Sequence, residues 1–258
     1  MGENAPMHVS AKADYAVRAA VELAAAGPGP VKGDRIAEAQ QIPLKFLENI
    51  LSDLRHAGYV QSQRGADGGY WLAGPADAIT LADVIRAVDG PLANVRGARP
   101  ESVEYSGSAS KLVEVWIAVR VSLRSVLERV TLADLVAGVL PAEVKELIAD
   151  DDAWVSRSAG GHTPPPRPRR PVGPADEITL ADIIRAVDGP LANVRGARPE
   201  SVAYHGSASH LAEVWIAVRV SLRSVLERVT LADLVAGVLP AGVKELIGDA
   251  DAWVSRRA

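Results

Sequence analysis

The 258-residue chain contains no cysteine. Disulfides, thiolate metal sites and cysteine nucleophiles are therefore excluded. Aromatic residues are scarce, and Phe46 is the single phenylalanine. Long apolar runs are also missing: Arg, Asp or Gly interrupts each one, so no membrane span is expected. Nor is there an excess of positive charge. A net charge of −4 gives no overall attraction to a polyanion, so any nucleic-acid surface must be a local cluster. Residues 1–9 lack a basic segment followed by an apolar core, so no secretory signal and a cytoplasmic location are expected. Catalytic patterns are absent as well. "RGADGGYWL" lacks the Gly-Lys-Ser/Thr ending of a phosphate loop, and no nucleophile elbow occurs. The run Asp150–Asp152 resembles a solvated helix end more than a metal site, and the five histidines fall at no ligand spacing. The expectation is a non-enzyme with no cofactor and no metal.

What is present is a repeat. Gly74–Arg157 recurs as Gly173–Arg256 at an offset of 99, with nine differences in 84 aligned positions. Such identity predicts the same local structure twice. Two copies of this length do not make a solenoid. Between them, "SAGGHTPPPRPRRPV" carries five prolines and three arginines and reads as an extended tether. At about 3.1 Å per residue it spans roughly 45 Å, enough for the second copy to fold back on the first. The expected organisation is a unique head (1–73), a helical tail (74–157), a linker (158–172) and the tail again (173–258).

The head reads as three helices and a hairpin. Ser10 precedes "AKADYAVRAAVELAAA", where Ala13, Ala16, Val17, Ala20, Val21 and Ala24 keep helical spacing until Gly27-Pro28. "GDRIAEAQQI" is a short helix with Ile36 and Ala37 inward. In "IPLKFLENILSDLRHAGYV", Pro43 suits the first turn, and Leu44, Leu47, Ile50, Leu51 and Leu54 form one buried stripe. Lys45, Glu48, Asn49, Ser52 and Arg55 remain on the other faces. "YVQSQRGADGGYWL" alternates as two short strands, and its glycines are expected to supply positive φ angles in a tight turn. A Gly-rich turn alone points to no ligand. The ordered series makes a winged helix-turn-helix, which points to double-stranded DNA. The third helix presents Lys45, Glu48 and Asn49 to a major groove, and Arg64 stands at the root of the wing. Asn pairs with adenine, and Lys or Arg with guanine or phosphate.

"MHVSAKADYAVRAAVELA", "RIAEAQQIPLKFLENILSDLRHAGYVQSQRGADGGYWL" and "ITLADVIRAVDGP" together resemble the Rrf-two family of bacterial transcription regulators. The resemblance runs from about Met7 to Trp154. It implies a dimeric winged-helix repressor or activator that binds near-palindromic operators; a repressor is the expected function here, with the sign itself left open by the sequence. It places Lys45, Phe46, Glu48, Asn49, Arg64 and Gly65 at DNA-facing positions, and Ser10 and Lys12 near the backbone; Arg55, on the outer face of the third helix, is added to the expected DNA-binding set. Iron–sulfur members carry three cysteines, or a close variant, where this chain has "GPLANVRGARPESVEYSGSASKL". Asp14 falls where nitric-oxide-sensing members place a carboxylate ligand, but a cluster needs thiolates or, less often, His. No cluster is expected. Asp14 is expected to be an ordinary surface residue paired with Arg18 one turn on.

In the tail, "TLADVIRAVDG" and "TLADLVAGV" each open with Thr followed three residues later by Asp, a capping-box start. Between them a long helix is predicted over Ser110–Val130. Leu112, Val115, Trp116, Val119, Leu123, Val126, Leu127 and Val130 make its apolar face, with Arg120, Arg124 and Glu128 mostly off it. Such a stripe needs a partner. The second copy offers the same helix over Ser209–Val229, including Trp215 and Leu222. Two arrangements are open: an intrachain pseudo-dimer, which the short tether favours, or a homodimer whose two heads grip two half-sites, which function mildly favours because the closed form gives up the affinity of a second head. The segment Leu92–Ser110 reads as a solvated loop or, less simply, an effector site of unknown ligand. The rival to a DNA-binding regulator is an interaction protein that pairs with or sequesters a relative.

Overall fold

A computed structural model describes residues 8–95, 97–155 and 173–254. The Pro/Arg-rich tether lies outside the described residues. Among the described residues the fold is mainly helical with two small sheets.

The head begins with β1 (His8–Val9) and α1 (Ala11–Ala26). Ser10 caps α1, its Oγ accepting from the Ala13 amide at 2.9 Å, and Gly27 ends it at φ 72°. The small residues of α1 let neighbours approach closely, so Ala13, Ala16, Ala19 and Ala20 are all buried. Helices α2 (Gly33–Gln40) and α3 (Leu44–His56) follow, with Pro43 preceding α3. Leu47, Ile50, Leu51 and Leu54 are fully buried, each worth about 1.5–3 kcal/mol. Leu44 departs from the predicted stripe and is 45% exposed. It sits in the first turn, at the open edge beside Gly33.

Strands β2 (Val60–Gln63) and β3 (Gly69–Leu72) pair antiparallel, with Val60 opposite Leu72 and Gln63 opposite Gly69. The glycines act differently from expectation. Only Gly65 has a positive φ, 116°. Gly68 and Gly69 are needed because backbone passes against them. A Cβ would lie 2.3 Å from the Gln63 carbonyl oxygen at Gly68, and 2.5 Å from that of Val31 at Gly69.

The first tail holds α4 (Leu81–Asp89), α5 (Leu112–Leu127), α6 (Leu132–Ala137), α7 (Ala142–Leu147) and α8 (Asp151–Trp154). Both capping boxes form, Thr80 with Asp83 and Thr131 with Asp134. They stand back to back: Leu81 N donates to Val130 O and Leu132 N to Ile79 O, each at 3.0 Å. The long helix is shorter than predicted at both ends, Leu112–Leu127 against Ser110–Val130, and Gly107–Ala109 forms a separate 3₁₀ turn before it. The second tail repeats the plan with α9 (Leu180–Val187), β4 (Asn193–Val194), α10 (Leu211–Leu226), α11 (Leu231–Ala236) and α12 (Ala241–Ile247).

Helices α5 and α10 pack against each other inside the one chain. Val115, Val119, Leu123, Val126 and Leu127 are buried, as are Trp215 and Leu222, while Leu112 and Trp116 are partly covered. Arg120 and Arg124 correct the expectation that they lie off the apolar face. Both are buried, and their counterparts Arg219 and Arg223 are too. Arg120 Nη2 donates to Ala252 O at 2.7 Å, and Arg219 Nη2 to Ala153 O at 2.7 Å. Arg124 reaches the carbonyls of Asp251 and Val254, and Arg223 those of Asp152 and Val155. Each long helix thus holds the closing segment of the other copy, a pseudo-two-fold exchange.

Candidate nucleic-acid interface

The head is held from two sides. Helix α1 packs on α4 and α6 of the first tail. The second tail grips it too: β1 pairs parallel with β4, and Arg195 N donates to Val9 O at 3.2 Å. Beside this strand pair lies a polar network. Tyr204 Oη donates to Asp14 Oδ1 at 2.6 Å, and Ser207 Oγ to Glu22 Oε2 at 2.6 Å. Gln40 Nε2 donates to both Glu22 and Ser207. Asp14 is therefore not the surface residue expected. It is fully buried, 3.3 Å from both the expected partner Arg18 and Arg195 of the second tail. Burial raises the pKa of the Tyr204 hydroxyl, and the Asp14 carboxylate raises it further.

The opposite side of the head is open. Lys45, Phe46, Glu48, Asn49 and Arg55 on α3 are exposed, as are Arg64 and Gly65 at the hairpin turn. The side chains of Lys45, Glu48, Asn49, Arg55 and Arg64 make no hydrogen bond or ion pair with the described residues. This contrasts with Arg86, Arg120, Arg124, Arg219 and Arg223 of the tails, which are buried and paired. Phe46 meets Tyr15 edge-on at 5.7 Å, which fixes the first turn of α3 against α1. The hairpin is stiffened by Trp71 Nε1 donating to Gln61 Oε1 at 3.1 Å and by the bridge between Val31 and Tyr70.

Ser10 and Lys12, unlike those side chains, are engaged in contacts within the chain. Ser10 Oγ donates to Asp89 Oδ2 at 2.5 Å. Lys12 Nζ bonds Val88 O at 2.7 Å and pairs with Asp53 at 2.8 Å. Both side chains tie the head to the end of α4. The sequence reading missed Lys32 and Arg35, both exposed at the start of α2. Gly33 between them abuts Leu44 and Tyr70, which brings this end of α2 to the edge shared by α3 and the wing. Two cations flanking the N-terminus of a helix were the available signal.

Comparison with known proteins gives the family. The model of Rrf2, described as "Iron-dependent Transcriptional regulator", matches residues 9–138 and 172–237. The chain belongs to the Rrf2 family. A Mycobacterium tuberculosis protein named as a candidate HTH-type transcriptional regulator is 53% identical over 155 residues, covering 60% of this chain and 96% of that protein. The HTH-type transcriptional regulator CymR of Bacillus subtilis is 39% identical over 130 residues, covering 50% of this chain and 89% of CymR. The solved structure titled as CymR, the global cysteine regulator of B. subtilis, is 38% identical; the match covers 51% of this chain and 97% of that one, with a TM-score of 0.44. This Rrf2 chain is a DNA-binding transcriptional regulator with a winged-helix head. The interaction-protein alternative is not favoured.

The description of the family raises iron, and the residues around Asp14 do not fit it. The carboxylate already receives the Tyr204 hydroxyl and faces two guanidinium groups, Arg18 and Arg195. That environment repels a cation, and it offers neither thiolate nor imidazole. Among the described residues no group of three His, Asp or Glu side chains is arranged to hold a metal ion.

Proposed function

We propose that this Rrf2 regulator contacts DNA through α3 and the β2–β3 wing of a single head, and so reads one half-site per chain. The observation that carries this is the exposed face on which Lys45, Asn49, Arg55 and Arg64 are left without partners among the described residues, in a chain whose Arg86, Arg120, Arg124, Arg219 and Arg223 are buried and paired. Asn49 and Lys45 address base edges. Arg55, Arg64 and the exposed Lys32 and Arg35 address phosphates, and Gly65 lets the wing tip approach the backbone. Ser10 and Lys12 act indirectly by fixing the head to α4. Pairing of α5 with α10 within the chain supports the half-site reading, since a family-type dimer would bring two heads. Bound at a promoter in the cytoplasm, such a regulator represses by occupying DNA.

The test is fluorescence anisotropy with duplexes from the gene's own upstream region. Arg64→Ala combined with Asn49→Ala is expected to weaken binding by at least about tenfold, from the loss of one base pair contact worth about 1–3 kcal/mol and one phosphate contact. Lys45→Ala is expected to lower the salt slope by about one. Footprint length decides the half-site reading: protection of two half-sites by one chain's worth of protein contradicts it, as does undiminished binding by the double variant.

A further inference from the structure

The first turn of α3 is largely apolar on its outside. Pro43, Leu44, Lys45 and Phe46 are exposed in succession, and the buried stripe begins only at Leu47. Leu44 is 45% exposed and Phe46 41%. Among the described residues of the head, these are the large hydrophobic side chains left exposed; the others belong to the tails. A loose core is not the cause, because Leu47, Ile50, Leu51 and Leu54 of the same helix are fully covered.

Their placement suits a reading role. Successive residues of a helix point about 100° apart, so Leu44 and Phe46 diverge on either side of Lys45. Leu44 lies toward α2 and the wing, beside Gly33, which also abuts Tyr70. Phe46 lies toward α1, its ring edge-on to Tyr15 at 5.7 Å. These contacts steady both side chains at the helix tip and leave much of each uncovered. In a helix-turn-helix, the N-terminal residues of the recognition helix reach the base edges. Most groups on the floor of the major groove are hydrogen-bond donors or acceptors, and the apolar one is the C5-methyl group of thymine. A leucine or phenylalanine set against a base nitrogen or oxygen strips its water and returns no hydrogen bond. Set against a methyl group, it takes two apolar surfaces out of water together.

We propose that Leu44 and Phe46 are specificity-determining residues that read thymine methyl groups on either side of the position addressed by Lys45. The inference rests on the DNA reading above and deepens it. Asn49 and Lys45 select bases by hydrogen bonds, and the apolar pair selects thymine beside them. It also gives a use to Leu44, which keeps the helical period of the buried stripe and yet faces out.

The test uses the full chain and duplexes from the gene's own upstream region, with the protected half-site mapped first. Each thymine in it is replaced singly by deoxyuridine, which keeps the base pair and lacks only the methyl group. Binding is expected to weaken about fourfold at each of two thymines, the loss of one buried methyl contact apiece. Phe46→Ala should erase the uracil penalty at one of them and Leu44→Ala at the other. Each penalty is a ratio measured within one protein, so partial loss of folded protein cancels from it. Leu44→Ala, which removes an exposed side chain, carries the test alone if Phe46→Ala does not fold. Specific binding that tolerates every uracil overturns this inference and leaves the DNA reading standing. So do uracil penalties that persist in the variants, or a protected half-site without thymine. Absence of specific binding to any upstream duplex instead removes the DNA reading itself, and this inference with it.

Discussion

Val88 and Val187 occupy matching positions in the two copies of the tail, yet one is 8% exposed and the other 77%. The contrast runs the other way along the long helices. Trp215 is fully buried, whereas Trp116 is only partly covered and donates to Tyr105 Oη at 3.1 Å. One cause explains both. The chain has a single head. Helix α1 covers α4 of the first copy and also meets the 3₁₀ turn Gly206–Ala208 of the second, while β1 just before it pairs with β4. The equivalent surfaces, α9 in one copy and the loop before α5 in the other, have no head to cover them. Identical segments thus acquire different burial from what they face.

The largest test of this comparison is at the tryptophans. Trp215→Ala is expected to cost about 3–5 kcal/mol in urea denaturation, and Trp116→Ala clearly less. Equal losses would break the account of asymmetric covering. The paired arginines sharpen it from the other side, because their surroundings are the same in both copies. Arg120→Met and Arg219→Met each strand a glutamate and a carbonyl of the opposite copy. Each is expected to cost about 2–4 kcal/mol, with the two values within about 1 kcal/mol of each other. A large difference would show that the two halves are not held alike.

Smaller still is the valine pair. Val88→Ser should destabilise by about 1–2 kcal/mol and Val187→Ser by less than about 0.5 kcal/mol, read as midpoint shifts at unchanged slope. The smallest effect is alkaline. The Tyr204 pKa is raised above its ordinary 10.0, by burial first and by Asp14 second. The unfolded chain therefore releases this proton before the folded one does. The stabilising contribution is fully present below pH 10 and declines as the pH rises above it. Tyr204→Phe should flatten that decline while lowering stability modestly at pH 8. Equal alkaline slopes in the two proteins would remove Tyr204 from this role.

Much of this molecule was legible in local patterns. The capping boxes at Thr80 and Thr131, the three head helices and the hairpin all follow from residues a few positions apart. Local rules failed where the deciding contact is distant. Arg120 and Arg124 were placed off the apolar face because a guanidinium belongs in water unless it is paired, and their carbonyl partners lie more than 120 residues away. Asp14 looked like a surface carboxylate for the same reason: Tyr204 and Arg195 belong to another part of the chain. Leu44 obeyed the helical period and still faces out, since periodicity marks a face but not where the core stops. Gly68 and Gly69 were correctly seen as necessary for the wing, yet the requirement is clearance for passing backbone rather than unusual dihedral angles.

The seam between α5 and α10 has one further consequence. An association between separate molecules weakens as they become rare, but these two helices are covalently joined. Dilution cannot part them. A cell holding a handful of copies and a cell holding thousands would contain the same fraction in paired form, so the amount of reader available to the promoter would rise in simple proportion to synthesis.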